Sequence, residues 1–150
     1  MQQVLRYIEA HQDQYEQELF SLLRIPSIST DKEYKPKVYE AASFLVKHLS
    51  DIGMDGATLH ETPGNPIVTA SHCHAGDDKP TVLIYGHYDV QPPDPLDLWE
   101  SPPFEPTIKN GAVYARGASD DKGQAFTHIK SIEAYLKTGT ELPVNVKFIL

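Results

Sequence analysis

Two short apolar segments constrain the fold of this chain more than any other feature. Residues 81–85 (TVLIY) form an uninterrupted apolar run, which is typical of a strand that is buried on both faces. Residues 144–150 (VNVKFIL) form a second strand pattern, and a helical pattern over 122–138 precedes it. A strand, a crossover that contains a helix and a second strand predict a parallel pair. The fold class is therefore predicted as α/β, with a mixed central β-sheet flanked by helices.

Two further helices are predicted in the first third of the chain. Apolar residues recur at intervals of three to four over 3–24 and again over 37–52, which is the spacing of an amphipathic helix. Pro26 is expected to end the first helix, because a proline disfavours helical geometry in the residue before it. Gly53 is expected to end the second helix.

Shorter strands and one long loop complete the predicted elements. Asn110-Gly111 is a strong signal for a hairpin turn. Six prolines between 91 and 106 exclude a regular helix or a central strand, so this stretch is predicted to be a long ordered loop or a linker. The remaining strands are predicted over 57–61, 67–71, 107–109 and 112–115.

Composition narrows the classes of protein to which the chain can belong. With 150 residues, of which 40% are hydrophobic and 23% charged, the chain is expected to form one compact core. The net charge of −8 and the lack of a Lys/Arg run argue against nucleic acid as a partner. No apolar segment has the length of a membrane span, so no membrane partner is expected. The single cysteine, Cys73, excludes an intrachain disulfide and favours a cytoplasmic protein.

His87 and Asp89 are the first candidates for chemistry, because they follow the strand predicted over 81–85. In open α/β sheets, ligands bind at the carboxyl ends of strands. Residues two apart in an extended segment point to the same side, so the imidazole and the carboxylate can face one point. One of them could then bind a metal ion while the other orients it. The alternative is a histidine at a strand end beside an unrelated loop aspartate.

Ser119-Asp120-Asp121-Lys122 opens the helix that is predicted over 122–138. Asp120 could provide a hard oxygen ligand for a divalent cation. Two adjacent aspartates repel each other unless a positive charge offsets the repulsion, and Arg116, Lys122 or a metal ion could provide that charge. In the alternative interpretation, Ser119 is the N-cap of the helix, and the positive end of the helix dipole stabilises both carboxylates.

The other histidines are predicted to have no part in the chemistry. His72 and His74 flank Cys73, but this triplet lacks the second ligand pair of a structural zinc site and is interpreted as incidental. Positions on the surface or in packing contacts are expected for the remaining histidines, which are His11, His48, His60 and His128.

Three motifs together resemble one enzyme family. GHYDVQP at 86–92, WESPPFEP at 99–106 and NGAVYARGASDDKGQ at 110–124 look like the amino-terminal part of the metal-dependent peptidase and deacylase family, in order and in spacing. That family includes carnosine-type dipeptidases, glutamate carboxypeptidase, aminoacylase, acetylornithine deacetylase and succinyl-diaminopimelate desuccinylase. GHYDVQP with DDKGQ is most similar to the dipeptidase branch, and the early helices and the IPSIS segment agree with the resemblance.

The resemblance implies a centre with two divalent metal ions, of the zinc type, with manganese or cobalt as alternatives. It implies that His87 is a ligand of one ion, that Asp89 is the acidic partner that orients the imidazole, and that Asp120 bridges both ions. It also implies a cis peptide bond between Asp120 and Asp121. The implied reaction is hydrolysis of the amide bond of a dipeptide or short peptide, because two metal ions activate a shared water. An N-acyl amino acid is the alternative substrate within the same family.

The resemblance further implies that residues 1–150 are the N-terminal part of a single catalytic domain. The general-base glutamate of the family, the remaining ligands and the lid or dimerisation domain lie outside these residues, and the intact protein is expected to be a homodimer. We therefore expect the chain by itself to be inactive and to bind zinc weakly at best through His87 and Asp120. A non-catalytic module that retains the fold is the third interpretation.

Overall fold

A mixed four-stranded sheet lies at the centre of the computed structural model, which describes all residues from 1 to 150. The strands are β1 (Asp55–His60), β2 (Ile67–His72), β3 (Thr81–Tyr85), β4 (Thr107–Lys109), β5 (Ala112–Tyr114) and β6 (Asn145–Ile149). The helices are α1 (Gln2–Ala10), α2 (Gln12–Leu23), α3 (Lys35–Ile52) and α4 (Lys122–Lys137).

The strand order in the central sheet is β1-β2-β6-β3. β1 pairs antiparallel with β2, β2 pairs antiparallel with β6, and β6 pairs parallel with β3. The register aligns Val82 with Val146 and Tyr85 with Ile149. The predicted parallel pair and the predicted α/β class with a mixed sheet are therefore confirmed.

The helices cover one face of the sheet. Along β6, Val146 and Phe148 are buried while Lys147 between them is exposed, so only one face of this strand carries the core. α3 packs against β1 and β2, and α1 and α2 pack against α4. Buried apolar side chains of the resulting core include Leu22, Leu45, Leu49, Val68, Phe126, Ile129 and Phe148.

The prediction that the 81–85 strand is buried on both faces is wrong. Val82, Leu83 and Tyr85 are 45%, 62% and 78% exposed. β3 is the edge strand of the sheet, with β6 as its neighbour on one side. Leu83 and Tyr85 also lie on the face opposite the helices, because they pair with the exposed Lys147 and the half-buried Ile149. An uninterrupted apolar run thus identified the strand correctly and its burial incorrectly.

The single helix predicted over 3–24 is divided into α1 and α2 at His11. His11 leaves helical geometry, with φ of −117° and ψ of 15°. Its ring Nδ1 lies 2.7 Å from the carbonyl oxygen of Tyr7, the group that the His11 backbone N–H would bond in a continuous helix. That N–H donates to Ile8 O instead, at 3.1 Å. Side-chain competition for a backbone acceptor therefore breaks the helix at His11, although the apolar period continues through it.

The remaining elements are close to their predicted bounds. α3 begins two residues before the predicted start and ends at Gly53, whose φ of 105° requires glycine-like freedom. Asn110 and Gly111 have φ of 52° and 77° in the β4–β5 turn, as a type I′ hairpin requires. Residues 91–106 form an ordered loop in which Trp99 Nε1 donates to Pro93 O at 2.7 Å. On α4, His128 lies on the surface, whereas Lys130 is buried.

Candidate metal centre

His87 lies two residues beyond β3, at the carboxyl end of that strand, and its imidazole is held between two carboxylates. Nδ1 is 3.0 Å from Asp89 Oδ1 and 3.1 Å from the Asp89 backbone oxygen. Nε2 is 2.9 Å from Asp120 Oδ1. The structure therefore brings together all three site residues that the sequence analysis singles out. We refer to His87, Asp89 and Asp120 as the His87 site.

Asp89 is held by a segment from the other end of the chain. Ser29 Oγ donates a hydrogen bond to Asp89 Oδ2. Ser27 is fully buried. Its Oγ donates to Tyr88 O at 2.6 Å, and its backbone oxygen accepts from Val90 N at 2.9 Å. Two backbone segments 60 residues apart thus run side by side, and this pairing sets the direction in which the Asp89 carboxylate points.

Asp120 comes from the turn that leads into α4. The peptide bond between Asp120 and Asp121 is cis, as the resemblance implies. Asp121 is the N-cap residue of α4, although its side chain makes no capping hydrogen bond, so the interpretation of Ser119 as the N-cap is wrong. The Asp121 carboxylate instead accepts from His87 N, with Oδ2 at 3.1 Å.

Gly86 permits this contact between Asp121 and the backbone of the strand end. A Cβ added at Gly86 would lie 2.8 Å from Asp121 Oδ2 and 3.1 Å from Ala125 Cβ. Those separations are shorter than normal van der Waals contacts, so a larger residue would push the turn before α4 away from β3. Glycine at this position therefore keeps the two halves of the His87 site together.

Lys122 fastens the start of α4 to the end of α2. Its side chain is fully buried, and Nζ donates to Ile25 O at 2.6 Å and to Leu22 O at 3.1 Å. Burial lowers the pKa of Lys122 to about 7, against the opposing effect of the Asp89 charge. Nζ therefore bonds one carbonyl in the last turn of α2 and one in the segment that follows it, and both carbonyl oxygens also accept a backbone N–H. Lys122 thereby places Asp120 relative to the IPSIS segment.

The two neighbouring carboxylates favour the protonated form of the His87 imidazole. Burial opposes the charged form, but hydrogen bonds to Asp89 and Asp120 and the charges of both carboxylates prevail and raise the pKa of His87 above its ordinary value. Asp120 is 83% exposed and its ion-pair partner is His87. Asp89 is less exposed and receives the Nδ1 side of the ring. The ring is therefore anchored on its Asp89 side and open on its Asp120 side.

The residues of the His87 site fit a zinc-type metal ion. An Nδ1–H that donates to a carboxylate leaves the Nε2 lone pair free, which is the usual arrangement of a metal-bound histidine. Two ligands of one tetrahedral zinc ion lie about 3.3 Å apart when each bond is about 2.0–2.1 Å. The 2.9 Å between His87 Nε2 and Asp120 Oδ1 is close to that separation. Small side-chain rotations would let one ion replace this hydrogen bond.

Sequence reasoning missed three residues that build the site: Ser29, Asp121 as a partner of the His87 backbone, and Lys122. Ser29 lies in the IPSIS segment, whose agreement with the family was the one available signal. Lys122 was given only a charge-balancing role, although it is fully buried. No periodicity could reveal its partners, because they lie 97 and 100 residues away.

Three of the histidines that were predicted to have no part in the chemistry lie in two further groups with carboxylates. Asp55, His72 and His74 place ligand atoms within 4.8 Å of one another, and so do Glu18, His48 and Glu133. His48 also stacks against Phe44 and meets the Phe126 ring, so the packing role predicted for it is confirmed. His60 is exposed and bonds Thr69 Oγ1 at 2.7 Å.

No helix of the structure combines the length and the apolar character that crossing a membrane requires.

Comparison with known proteins identifies the family. Residues 83–150 match the family model described as Peptidase family M20/M25/M40. The Cys-Gly metallodipeptidase dug1 of Schizosaccharomyces pombe is 38% identical over 154 residues, which cover 93% of this chain and 31% of that protein.

Two solved dipeptidase structures share the fold. The structure of the dipeptidase Dug1p from Saccharomyces cerevisiae superposes with a TM-score of 0.90 at 30% identity, covering 99% of this chain and 33% of that chain. Human carnosine dipeptidase 1 superposes with a TM-score of 0.89 at 31% identity, with the same coverage of 99% and 33%. The chain thus spans about a third of the length of the relatives it matches. The resemblance seen in the motifs is confirmed: by sequence and by fold, this chain belongs to peptidase family M20/M25/M40.

Proposed function

We propose that this chain supplies part of the metal centre of a metallopeptidase that hydrolyses dipeptides or short peptides. In this proposal His87 binds one of two zinc-type ions, Asp120 bridges both ions, and Asp89 orients the His87 imidazole. The observation that carries the proposal is the approach of His87 Nε2 to Asp120 Oδ1, at 2.9 Å, from segments 33 residues apart. The names of the relatives, which are metallodipeptidases and dipeptidases, support the same reaction.

The chemistry of amide hydrolysis explains why these residue types are suitable. Two bound divalent ions would lower the pKa of a shared water and polarise the scissile carbonyl. Asp89 Oδ1 lies 3.0 Å from His87 Nδ1, and by accepting the Nδ1 proton it would direct the Nε2 lone pair toward a bound ion. Asp120 offers two carboxylate oxygens, as a bridging ligand requires, and its exposure leaves them accessible.

We further propose that these residues by themselves form an incomplete centre. His87 and Asp120 provide two ligands, whereas catalytic zinc sites have three protein ligands and an open position. The resemblance assigns the general base to a glutamate outside residues 1–150, so the chain alone is expected to be inactive and to bind zinc weakly through His87 and Asp120. A cytoplasmic location and a homodimeric whole protein remain part of this proposal; the single exposed cysteine agrees with a reducing compartment.

The decisive experiment assays the whole protein that contains this chain on dipeptides and on N-acetyl amino acids. We expect hydrolysis of dipeptides, loss of activity on chelation and recovery with Zn²⁺ or Mn²⁺. Asp89→Asn should lower kcat/KM by about 10- to 100-fold, as is usual for a partner that orients a metal ligand. His87→Gln and Asp120→Asn should lower it further. The control is His128→Gln, at an exposed histidine of α4.

The alternatives correspond to different results of that assay. Hydrolysis of N-acetyl amino acids without hydrolysis of dipeptides would favour the deacylase. Activity that persists unchanged in His87→Gln would refute the metal-centre proposal. Absence of any metal-dependent hydrolysis, in a protein that folds, would favour the non-catalytic module.

A further inference from the structure

A second group of metal-ligating side chains lies at the opposite end of the sheet from the His87 site. His72 ends β2 and is paired with Val146, which is level with Val82 on β3. His87 lies five residues further along the chain than Val82, a separation of roughly 16 Å along an extended strand. The two histidine groups therefore cannot share a metal ion. The inference below concerns a site beyond the proposed dipeptidase centre and does not depend on it.

Asp55, His72 and His74 converge because of the way β1 and β2 pair. Asp55, at the start of β1, is the register partner of Ser71, the residue before His72. The register between β1 and β2 shifts between Asp55 and Thr58, as it does at a β-bulge. As a result, the ligand atoms of Asp55, His72 and His74 lie within 4.8 Å of one another.

The two histidines belong to this group, and the cysteine between them does not. The ligand atoms of His72 and His74 lie within 4.8 Å of each other and of that of Asp55, and Cys73 contributes no atom to the group. The His72 and His74 rings meet with centroids 4.5 Å apart, and Cys73 is exposed. The donor set is therefore two imidazoles and one carboxylate, without a thiolate.

The three side chains are not fully occupied by bonds to one another. His74 Nε2 is 2.6 Å from Asp55 Oδ2, which by itself is an ordinary exposed ion pair. His72 is different, because its Nδ1 is buried and has no hydrogen-bond partner. A neutral imidazole with an unpartnered nitrogen is the form that binds a metal ion.

A cleft of about 470 Å³ opens beside the two histidines and gives the group access to solvent. Lys79 and Glu141 also line this cleft. Catalytic zinc sites use three protein ligands and one open position for water or a small ligand. Two imidazoles and a carboxylate beside a solvent-filled cleft reproduce that pattern.

We propose that Asp55, His72 and His74 form a second metal site, which binds a zinc-type divalent ion and leaves one coordination position open toward the cleft. Imidazole and carboxylate ligands suit Zn²⁺ and neighbouring transition metals better than Mg²⁺ or Ca²⁺, which prefer oxygen ligands alone. The ion replaces the Asp55–His74 hydrogen bond, and it satisfies an imidazole that the protein leaves without a partner.

The test is a zinc titration of the 150-residue chain in which the His87 site has been disabled by His87→Gln together with Asp120→Asn. Calorimetry should show one Zn²⁺ bound per chain in this background, and the imidazole resonances of His72 and His74 should shift with that equivalent. Adding His72→Gln, His74→Gln or Asp55→Asn should each weaken zinc binding by more than about tenfold. Asp55→Asn and His74→Gln are the variants least able to disturb the fold, because both side chains are exposed.

Two matched controls sharpen the assignment. Cys73→Ser changes the residue between the two proposed ligands, and His60→Gln removes an exposed histidine from β1; both should leave zinc affinity unchanged. Co²⁺ should give a tetrahedral absorption spectrum without a thiolate-to-cobalt band. Absence of zinc binding in the disabled background, unchanged affinity in His74→Gln or a thiolate band would overturn the proposal. Failure of the dipeptidase assay alone would leave this titration unaffected.

Discussion

Two clusters in this molecule combine a histidine with two carboxylates, and they differ in the source of positive charge. We call Glu18, His48, Lys130 and Glu133 the Lys130 cluster. There the Lys130 ammonium is 2.6 Å from Glu133 Oε2 and 2.7 Å from His48 Nε2, and it also bonds Glu18. The rings of Tyr15 and Phe126 flank the same ammonium, so the cluster is shielded from solvent.

The His87 site has the same residue types and no such ammonium. The ion-pair partner of both Asp89 and Asp120 is the His87 imidazole. Asp120 is mostly exposed, whereas Glu133 in the Lys130 cluster is 5% exposed. A histidine with two carboxylates is therefore not in itself a metal site. The Lys130 cluster carries its own cation and serves packing, whereas the His87 site is suited to a cation from solution.

The largest effect is expected from removing the cation of the Lys130 cluster. Lys130→Met leaves the buried Glu133 carboxylate without its ammonium, and breaking a buried pair in this way costs about 3–5 kcal/mol. The free energy of unfolding in urea measures the loss. Lys47→Met is the matched control, because Lys47 and Asp51 form an exposed pair that contributes less than about 1 kcal/mol. If both variants lost the same free energy of unfolding, the buried Lys130 ammonium would contribute no more to stability than the exposed Lys47 ammonium, and the prediction would be wrong.

The Lys130 cluster should also dominate the acid side of the stability profile. Burial opposes ionisation, but hydrogen bonds from His48 and Lys130 prevail and lower the pKa of Glu133. Because the folded pKa is lower than the unfolded one, the unfolded chain binds more protons between the two values. The contribution of Glu133 is therefore complete above its unfolded pKa and is lost as pH falls through its folded pKa. Urea unfolding from pH 7 downward should show this loss, and Glu133→Gln should flatten the profile.

At the His87 site, a smaller effect is expected from Ser29→Ala. The variant removes the hydroxyl that bonds Asp89 Oδ2, and one hydrogen bond to a charged group contributes about 1.5–3 kcal/mol when buried and less here, where Asp89 is partly exposed. The Nδ1 acceptor of His87 would become mobile, so zinc affinity at this site should fall by about tenfold. Ser131→Ala, at an exposed serine of α4, is the control for both measurements. A variant that binds zinc like the parent would show that Ser29 does not position Asp89.

The smallest effect concerns the pKa of the His87 imidazole in the metal-free chain. Its pKa is raised, so its contribution to stability is complete below the unfolded pKa and is lost as pH rises through the folded pKa, the opposite direction from Glu133. NMR titration should show the pKa of His87 above the ordinary value of a histidine. Asp120→Asn should lower the His87 value, since it removes one of the two carboxylates. An unchanged value would mean that the contact with Asp120 is not formed in solution.

The sequence predicted the His87 site better than it predicted the surroundings of that site. His87 and Asp89 are two residues apart on one extended segment, and Asp120 immediately precedes a recognisable helix, so local patterns and motif order were sufficient to select them. Ser29 and Lys122 act through partners in distant segments. Their contribution depends on the pairing of residues 25–29 with 88–90, which no local pattern encodes.

The same distinction explains the errors in the fold. The apolar run at 81–85 predicted a strand correctly, because strand propensity is local. Its burial depends on which elements lie beside it, and β3 is at the edge of the sheet. The break at His11 depends on one side-chain hydrogen bond within a segment whose apolar period is continuous.

What the amino-acid sequence determined by itself is the set of elements, the α/β class, the family and the three residues of the His87 site. These follow from periodicity, turn chemistry and motif order, which operate over a few residues or along the chain. Only the tertiary structure decided which histidines have carboxylate neighbours and whether a lysine accompanies them. That outcome depends on strand register and helix packing, because His72 meets Asp55, and Lys130 meets Glu18, across 17 and 112 residues of chain.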